Sequence, residues 1–408
     1  MKVHSDDPAV STLTSSSGGA DDWTGLVIVC GGAAWGDWYP SEKHIAMHLS
    51  KKAPILFVDP PSSSVPRQPH DRLGRPGLRV VSPSLAVLSL KTLPGQSRPY
   101  VARLTRSIAR RGIARAVAAL GVDRAGAMIV ANHVDLFGAV EADLDVVYAT
   151  DDFVAGAELL GMDRDFLMGE ERRQAAHADR VVVVTERLAE RWERLGHDPI
   201  LIPNGCDTEQ FRDVESLPLP PDVDLPAPRV GVFGHLSNRI DISLLEAVAA
   251  RGISLLLIGT RQPSFSIDSL LAHDNVRYLG TKPFEAMPAY LGCIDVGLTP
   301  YADIEFNRAS FPLKTLEYLA GGRGAVSTDL PAVRWLDTDL ISTATAPEAF
   351  ADAVEAAIAQ PRTTATVERR RAFARRHSWE ARAAQFATVL GLDSDGDQRT
   401  SRVGEEAP

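Results

Sequence analysis

Lys314 and Glu317 have the residue types and the spacing of a ligand-binding pair. They follow Pro312 at the predicted start of a helix, where residues three apart share one face. A helix N-terminus attracts anions, and a lysine there strengthens that attraction. A carboxylate one turn later can accept hydrogen bonds from hydroxyl groups. Phosphate at the helix tip and hydroxyls one turn in describe a nucleotide or a nucleotide-sugar. The alternative is a surface ion pair worth roughly 0.2–0.5 kcal/mol.

The segment that presents this pair reads as loop, helix, glycine stop and buried strand over residues 307–329. Pro312 suits the first turn of a helix, because its missing N–H has no partner there anyway. Leucines and an alanine recur at helical spacing from 313 to 320. Gly321 and Gly322 favour a left-handed helix end. The sequence therefore predicts a helix whose first turn faces a ligand.

The rest of the chain alternates short apolar runs with helical segments. We predict strands at 26–30, 54–59, 128–131, 145–149 and 180–184, one or two more within 80–90, and helices at 41–50 and 100–120. A second alternating series starts at 229, and one or two helices close the chain at 368–390. This pattern predicts an α/β fold with doubly wound sheets.

Composition shifts indicate the domain boundaries. Residues 212–228 are rich in Pro, Asp and Leu and predict a linker. We expect a disordered leader at 1–24, an acceptor-side domain at 25–211, a donor domain at 229–375, a terminal helix at 376–393 that crosses back to the first domain, and a disordered tail at 394–408.

Bulk properties exclude several classes of protein. A net charge of −10 argues against nonspecific nucleic-acid binding. The three cysteines are scattered, which favours reduced thiols over disulfides or a zinc site. No apolar run approaches the roughly 20 residues of a spanning helix, and the N-terminus lacks the apolar region of a signal peptide. We expect a cytoplasmic protein.

The motif P-x-K-x-x-E-Y-x-A-x-G at 312–322, followed by S-T-D-x-P at 327–331, resembles the donor site of GT-B glycosyltransferases of the family 4, or group 1, type. Within that type the chain is most similar to bacterial surface-polysaccharide and teichuronic-acid-type enzymes. Residues 202–211 resemble the interdomain signature P-N-G-V-D-x-x-x-F, and the likeness covers about 25–390. It implies two Rossmann-like domains facing across a cleft. It also implies sugar transfer from a nucleotide-diphosphate sugar to a hydroxyl acceptor, with retention, without metal or cofactor.

The resemblance assigns donor-side roles. Glu317 would bind the nucleotide ribose, and Lys314 with the backbone near Pro312 and Leu313 would bind the phosphates. The loop after the strand at 229–233 would add further phosphate ligands, namely Gly234, Ser237 and Arg239, and Lys282 is a weaker candidate. The alternative for Arg239 is a turn pair with Asp241.

Other residues are expected on the acceptor side. Trp35, Asp37 and Trp38 follow the first strand in a glycine-rich loop, which is also a degraded match to a dinucleotide fingerprint that ends at Asp59. Alternatively, the tryptophans only pack there. His133 follows another strand and could hydrogen-bond the transferred sugar or act on the acceptor, or be structural.

Asp151 and Asp152 end the strand at 145–149 and could serve as base or acceptor anchor. Three D-x-D pairs, at 143–145, 222–224 and 337–339, resemble the metal motif of a different fold, and three chance matches in an Asp-rich chain make the pattern weak.

Two features of the sequence have more than one interpretation. The group 1 type has a second glutamate eight residues before Glu317, and this chain has Ala309 there. Two alternatives remain: a UDP-sugar epimerase of the same fold, and a non-catalytic nucleotide-sugar-binding protein, which the missing glutamate favours slightly. Six arginines and no acid occupy 98–115, and they could dock on anionic lipid near a lipid-linked acceptor or form a solvated helix face. The candidates for a membrane-facing role are Arg103, Arg106, Arg110 and Arg111.

Overall fold

Two compact units make up the part of the chain that the computed structural model describes, which is residues 22–36, 39–63, 77–95 and 98–393. The first unit contains the residues up to Val147, with Ala176–Asp179 and the segment from Leu390 onward. The second contains Tyr148–Ala175 and Arg180–Val389. The predicted division at 212–228 stays a prediction, and the leader and tail fall almost entirely outside the described residues.

The described residues of the first unit form two helices, nine complete strands and the start of a tenth. Its helices are α1 (Ser41–Leu49) and α2 (Pro99–Ala119). Its strands are β1 (Val27–Cys30), β2 (Ile55–Val58), β3 (Ser62–Ser63), β4 (Gly77–Ser82), β5 (Leu85–Ser89), β6 (Lys91–Thr92), β7 (Arg124–Ala125), β8 (Ala127–Val130), β9 (Glu141–Ala142) and β10 (Asp145–Ala149).

The sheet of the first unit is parallel except at one edge. Its strands run in the order β10, β8, β1, β2, β5, β4. β1 pairs in parallel with both β2 and β8, and all four of its residues are buried. Continuous burial explains why these strands are unbroken apolar runs without alternation. Residues 80–90, predicted as one or two strands, form the antiparallel pair β4 and β5.

The second unit begins with α3 (Ala157–Leu160), α4 (Arg164–His177, whose last two residues group with the first unit), β11 (Arg180–Val183), α5 (Glu186–Glu193) and β12 (Ile200–Leu201). It continues with β13 (Arg229–Phe233), α6 (Ile242–Ala250), β14 (Ser254–Ile258), α7 (Asp268–Leu271), β15 (Val276–Gly280), α8 (Met287–Gly292), β16 (Val296–Thr299), α9 (Glu305–Ala309), α10 (Leu313–Ala320), β17 (Gly324–Ser327), α11 (Pro331–Trp335), β18 (Ile341–Thr343), α12 (Pro347–Ala359), α13 (Thr364–Arg376) and α14 (Trp379–Val389). Two short 3-10 helices lie at Val214–Ser216 and Phe284–Ala286.

A six-stranded parallel sheet forms the centre of the second unit, in the order β15, β14, β13, β16, β17, β18. α6 and α12 pack on each other and join the buried residues of β13, β14, β16 and β17 in one core. α10 packs on β16, β17 and α13. The predicted α/β fold with parallel sheets is confirmed, and the loops after β13, β14 and β16 all lie at the carboxyl edge of one sheet, where ligands of such folds bind.

The predicted linker, 212–228, packs on the second unit. Val214, Val223 and Leu225 are buried. Glu215 of this segment pairs with Arg323 at 3.1 Å, and Asp224 pairs with Arg277 at 3.0 Å. A segment with the composition of a linker therefore contributes buried apolar side chains to the second unit.

None of the helices formed by the described residues has both the length and the hydropathy needed to cross a membrane.

Candidate functional site

Helix α10 presents the predicted pair at its first turn. The helix begins at Leu313, one residue later than predicted, with Pro312 as its N-cap. Its buried residues run from Thr315 to Ala320. The chain leaves the helix through Gly322, whose φ of +73° lies in the left-handed region that the two glycines predicted.

Tyr318 fixes α10 to the sheet. Its ring is fully buried, and its hydroxyl donates to the carbonyl of Leu298 at 3.2 Å and accepts from the backbone N–H of Phe233 at 3.1 Å. Gly297 leaves the space for that ring, because a Cβ there would lie 2.1 Å from Tyr318 Cγ. The last residues of β13 and β16 therefore set the position of the helix.

Lys314 and Glu317 bond to each other. Lys314 Nζ lies 2.9 Å and 3.2 Å from the two carboxylate oxygens of Glu317. The Lys314 side chain is 27% exposed and the Glu317 side chain 12%. The pair is thus the i,i+3 ion pair of the alternative interpretation, but both members lie half-enclosed at a helix start instead of on an open surface.

A glycine-lined loop meets the start of α10. Gly234, which ends β13, has a φ of +119°, and a Cβ on it would lie 3.6 Å from Lys314 Cε. A Cβ on Gly259, at the end of β14, would lie 1.8 Å from the carbonyl oxygen of Gly234. Only a glycine at 259 allows its backbone to approach Gly234 so closely, whereas the contact between Gly234 and Lys314 has ordinary van der Waals length. The loop after β13 and the lysine of α10 therefore share one site.

Arg239 is oriented by Asn307. Its Nε donates to Asn307 Oδ1 at 2.9 Å, and its guanidinium lies 4.7 Å from the centre of the Phe306 ring and 5.1 Å from that of Tyr301. Asn307 is fully buried and donates to the carbonyl of Arg239 at 2.9 Å. The alternative partner, Asp241, instead caps α6 by accepting from Ser243 N at 3.0 Å. Arg239 is held beside the loop that contains Gly234.

Ser237 is buried within the same loop, and its hydroxyl accepts from Arg239 N at 3.5 Å. Sequence pattern alone did not single out His235, which lies between Gly234 and Ser237 in this loop. Its Nδ1 lies 2.8 Å from Thr260 Oγ1, and its pKa is lowered by burial and by the charge of Arg239. Its place directly after a glycine at a strand end is the signal that could have identified it.

Lys282 is engaged elsewhere. Its Nζ donates to Asp222 Oδ2, and the Tyr290 hydroxyl donates to Asp222 Oδ1 at 2.9 Å. Asp222 lies in the predicted linker, so Lys282 helps hold that segment on the second unit. A phosphate ligand at this position would have to displace Asp222.

The adjacent acids Asp151 and Asp152 have different environments. Asp152 Oδ1 accepts from Ala155 N at 2.8 Å, and its other oxygen lies 3.7 Å from Arg191. It therefore holds its own turn. Desolvation raises the pKa of Asp151 to about 6, against the lowering effect of Arg239 and of the Ser310 hydroxyl.

His133 follows β8 in the first unit, beside Asn132. Asn132 Nδ2 donates to the carbonyl of Gly31 at 3.3 Å, and Asn132 Oδ1 accepts from Val134 N at 2.8 Å. Burial lowers the pKa of His133 to about 4, so the imidazole is neutral at pH 7. A neutral imidazole can exchange hydrogen bonds with a hydroxyl, but it contributes no positive charge.

Carboxylates accept hydrogen bonds from the backbone N–H groups of the glycine-rich loop that follows β1. Gly32 N and Ala33 N both donate to Glu42 Oε1, at 2.7 and 3.1 Å, and Trp35 N donates to Asp59 Oδ1 at 2.7 Å. A pyrophosphate would need these N–H groups and would meet two carboxylates instead, which disfavours the dinucleotide interpretation. Trp35 packs edge-on against Phe57 at 4.9 Å. The other two acceptor-side candidates, Asp37 and Trp38, lie outside the described residues.

The arginines of α2 separate into two groups. Arg103 and Arg111 are exposed and Arg106 is partly exposed. Arg110 differs, because it donates to the buried carboxylate of Asp135 at 2.9 Å. Arg110 therefore has a structural partner inside the unit, and the remaining three stay candidates for a membrane-facing role.

No group of three or more His, Cys, Asp or Glu side chains in the described ranges could hold a metal ion. Four of the six aspartates in the D-x-D pairs form ion pairs: Asp143 with Arg124, Asp222 with Lys282, Asp224 with Arg277 and Asp339 with Arg369.

The region that contains this site matches a known protein family. Residues 227–360 match the family Glycosyl transferases group 1. The match covers about a third of the chain, and within that region the chain is similar to the group 1 glycosyltransferases. The matched region starts at the end of the predicted linker and contains both α10 and the loop after β13.

A curated relative and several solved structures extend the comparison. A Bacillus subtilis (strain 168) protein, TuaH, named as a teichuronic acid biosynthesis glycosyltransferase, is 27% identical over 170 residues, 40% of this chain and 43% of TuaH. The match thus spans less than half the length of that relative.

Sucrose-phosphate synthase from Thermosynechococcus elongatus aligns with a TM-score of 0.69 at 17% identity over 90% of this chain and 98% of its own. The structure of Anabaena HepE in complex with UDP and glucose aligns with a TM-score of 0.63 at 13% identity, over 90% of this chain and 99% of its own. These likenesses establish the GT-B fold.

Proposed function

We propose that this protein transfers a sugar from a nucleotide-diphosphate sugar to a hydroxyl acceptor. The observation that carries the proposal is the half-enclosed Lys314–Glu317 pair at the start of α10, in van der Waals contact with the loop that contains Gly234. A diphosphate would draw Lys314 away from Glu317, and the freed carboxylate would accept hydrogen bonds from ribose hydroxyls. The two side chains hold each other in place until a ligand with both groups replaces the pairing.

The chemistry follows from charge on the leaving group. As the bond between the sugar C1 and the β-phosphate oxygen breaks, the electron pair passes to the departing nucleoside diphosphate. The acceptor oxygen bonds to C1, and its proton passes to the departing phosphate. Lys314, Arg239 and the N–H groups at the start of α10 would stabilise the growing negative charge, as preorganised cations and dipoles do. No metal or further cofactor is needed in this proposal, and the configuration at C1 is retained.

We propose a surface polysaccharide or a lipid-linked saccharide as the acceptor. TuaH, named for teichuronic acid biosynthesis, supports this choice of acceptor class. His133 would hydrogen-bond the acceptor or the transferred sugar as a neutral imidazole. Exposed Tyr100 and Leu104 alternate with exposed arginines on α2, which would suit an anionic membrane surface on the cytoplasmic side.

Product analysis tests the proposal. The protein is incubated with UDP-, GDP- and ADP-sugars, with and without lipid-linked acceptors, in EDTA. Acceptor-dependent release of nucleoside diphosphate, with a product that keeps the anomeric configuration, is expected. An epimerised nucleotide-sugar formed without acceptor would establish the epimerase instead. Binding with no turnover under any condition would contradict catalysis.

Membrane docking has its own assay. Co-sedimentation with phosphatidylglycerol vesicles should fall when Arg103 and Arg111 are replaced by glutamine, while binding to phosphatidylcholine stays at background. Equal sedimentation of the variant and the parent protein would contradict the proposed docking face.

A further inference from the structure

His235 lies at the carboxyl edge of the second unit's sheet, between two backbone hydrogen bonds that fix its place. Gly234 N donates to the carbonyl of Ile258 at 2.9 Å, and Leu236 N donates to that of Thr260 at 2.8 Å. Between these bonds, the imidazole Nδ1 of His235 lies 2.8 Å from Thr260 Oγ1. The ring is therefore held by the backbone on both sides and by one side-chain contact.

The residue before His235 contacts Lys314. A Cβ on Gly234 would lie 3.6 Å from Lys314 Cε, so the backbone of His235 begins beside that lysine. Within the described ranges, no backbone carbonyl accepts a hydrogen bond from the N–H of His235 or from that of Lys314. Backbone N–H groups and a lysine that meet at a strand end and a helix start favour an anion such as a phosphate.

The hydroxyl of Thr260 allows His235 to be neutral or protonated. A hydroxyl both donates and accepts, so Thr260 Oγ1 can donate to a bare Nδ1 or accept from a protonated one. His377 has the opposite arrangement, because its Nδ1 lies 2.6 Å from Nη2 of Arg382, which can only donate. His235 is also exposed, and its contact with Thr260 uses Nδ1 and leaves Nε2 for a ligand.

The charges around His235 oppose a proton on it until an anion binds. The charged and titratable groups near the loop are Arg239 on the loop itself, Arg261 after β14, Tyr278 on β15, and Lys314 and Glu317 on α10. The one carboxylate among them, Glu317, already pairs with Lys314 at 2.9 Å. Burial and the charge of Arg239 lower the pKa of His235. A diphosphate would reverse that balance, because its negative charges favour the imidazolium.

We propose that binding of the diphosphate is coupled to uptake of one proton from solvent by His235, whose Nε2–H then donates to a phosphate oxygen. This inference rests on the proposed function and makes that function depend on pH. In the complex, the imidazolium joins Lys314 and Arg239 as a third cation, and the proton returns to solvent when the diphosphate leaves. A lower pH should therefore strengthen donor binding.

Titration calorimetry at pH 6.5 counts the protons taken up on binding. The probes are UDP-glucose, GDP-glucose and ADP-glucose, because a diphosphate esterified at both ends has no proton to exchange near this pH. Each titration is run in PIPES and in Bis-Tris, whose ionisation enthalpies differ, so the difference in heat reports the number of protons. The parent protein should take up a fraction of a proton that approaches one as the pKa of bound His235 rises.

His235→Gln keeps a polar side chain on the loop but cannot titrate. Its binding should take up no proton, and its Kd should be the same at pH 8 and pH 6. The parent protein should bind up to about tenfold more tightly at pH 6 than at pH 8, since one unit of pKa shift corresponds to tenfold in affinity. His273→Gln is the matched control and should behave as the parent protein does, because His273 precedes β15 at the opposite edge of the same sheet.

Proton NMR of the imidazoles gives a second measurement on the parent protein alone. The resonance that His235→Gln lacks identifies His235, and its pKa should rise when the conjugate is added. Binding without proton uptake, equal uptake by the parent protein and His235→Gln, or an unchanged pKa of His235 would each overturn the inference, while the proposed donor site would stand. If none of the three conjugates binds the parent protein, the proposed function fails as well.

Discussion

Replacement of Lys314 by methionine separates the structural role of this lysine from its ligand-binding role. The ion pair with Glu317 is 2.9 Å long, but it joins residues three apart on one helix and is partly solvated, with 27% and 12% of the two side chains exposed. Such pairs contribute about 0.2–1 kcal/mol. Lys314→Met should therefore lower the free energy of unfolding by less than about 1 kcal/mol, which urea denaturation would measure.

Binding should change far more than stability. A charge-assisted hydrogen bond to a phosphate contributes roughly 1.5–3 kcal/mol, or about 10- to 150-fold in Kd. Calorimetric titration should show that weakening for the nucleoside diphosphate and almost none for the bare nucleoside. Lys52→Met, which removes an exposed lysine of the first unit, is the control. Equal weakening of nucleoside and diphosphate would refute the assignment of Lys314 to the phosphates, as would an unchanged Kd for both.

Three further predictions concern the frame of the site. Gly297→Ala should lower the free energy of unfolding by about 1–3 kcal/mol or more, because its Cβ would lie 2.1 Å from the ring of Tyr318. The control Gly169→Ala, within α4, should leave the free energy of unfolding unchanged or raise it in the same urea denaturation. Arg323→Met should cost about 2–4 kcal/mol, since this side chain is 0% exposed, donates to two backbone carbonyls and forms an ion pair with Glu215. Glu215→Gln should cost much less, and equal losses would refute this account. The pKa of His377 is lowered to about 4 by burial and by neighbouring arginines, so the unfolded chain takes up its proton first as pH falls through 6.5. His377 therefore lowers the free energy of unfolding progressively between pH 6.5 and 4. Between pH 7 and 5 the parent protein should lose roughly 1–2 kcal/mol more of this free energy than His377→Asn loses. Parallel plots of unfolding free energy against pH for the two proteins would contradict this.

The positions of helices and strands could be predicted from local sequence pattern. Fully buried parallel strands appear as unbroken apolar runs, so β1, β8 and β10 were predicted to within a residue or two at each end. The end of α10 followed from its two glycines, and its start differs only because Pro312 is the cap and not the first helical residue.

Side-chain partners distant in sequence did not follow from local pattern. Lys282 was expected at a phosphate, yet Asp222, 60 residues earlier, pairs with it. Arg110 was expected on an exposed face, yet it bonds to buried Asp135. Each cation has many candidate acids in a chain of net charge −10, and only tertiary packing chooses among them.

Part of the candidate site could be predicted from the sequence. The Lys314–Glu317 spacing, the glycine after β13 and Arg239 were all found in the sequence, and the structure brings them to one edge of the second sheet. The contact of Gly156 with the ring of Phe306 was not predictable, because no local pattern links residues 150 positions apart.

The central claim is that α10 and the loop after β13 bind a nucleoside diphosphate and its sugar conjugate. A thermal-shift panel of UDP, GDP, ADP, NAD and common sugar conjugates, in EDTA, tests it directly with the parent protein and Glu317→Ala. A bound ligand stabilises the folded state by mass action. We expect one nucleoside diphosphate and its conjugate to raise the melting temperature of the parent protein, and Glu317→Ala to lose that rise while remaining folded. A shift with NAD alone, or an equal shift in the variant, would contradict the account.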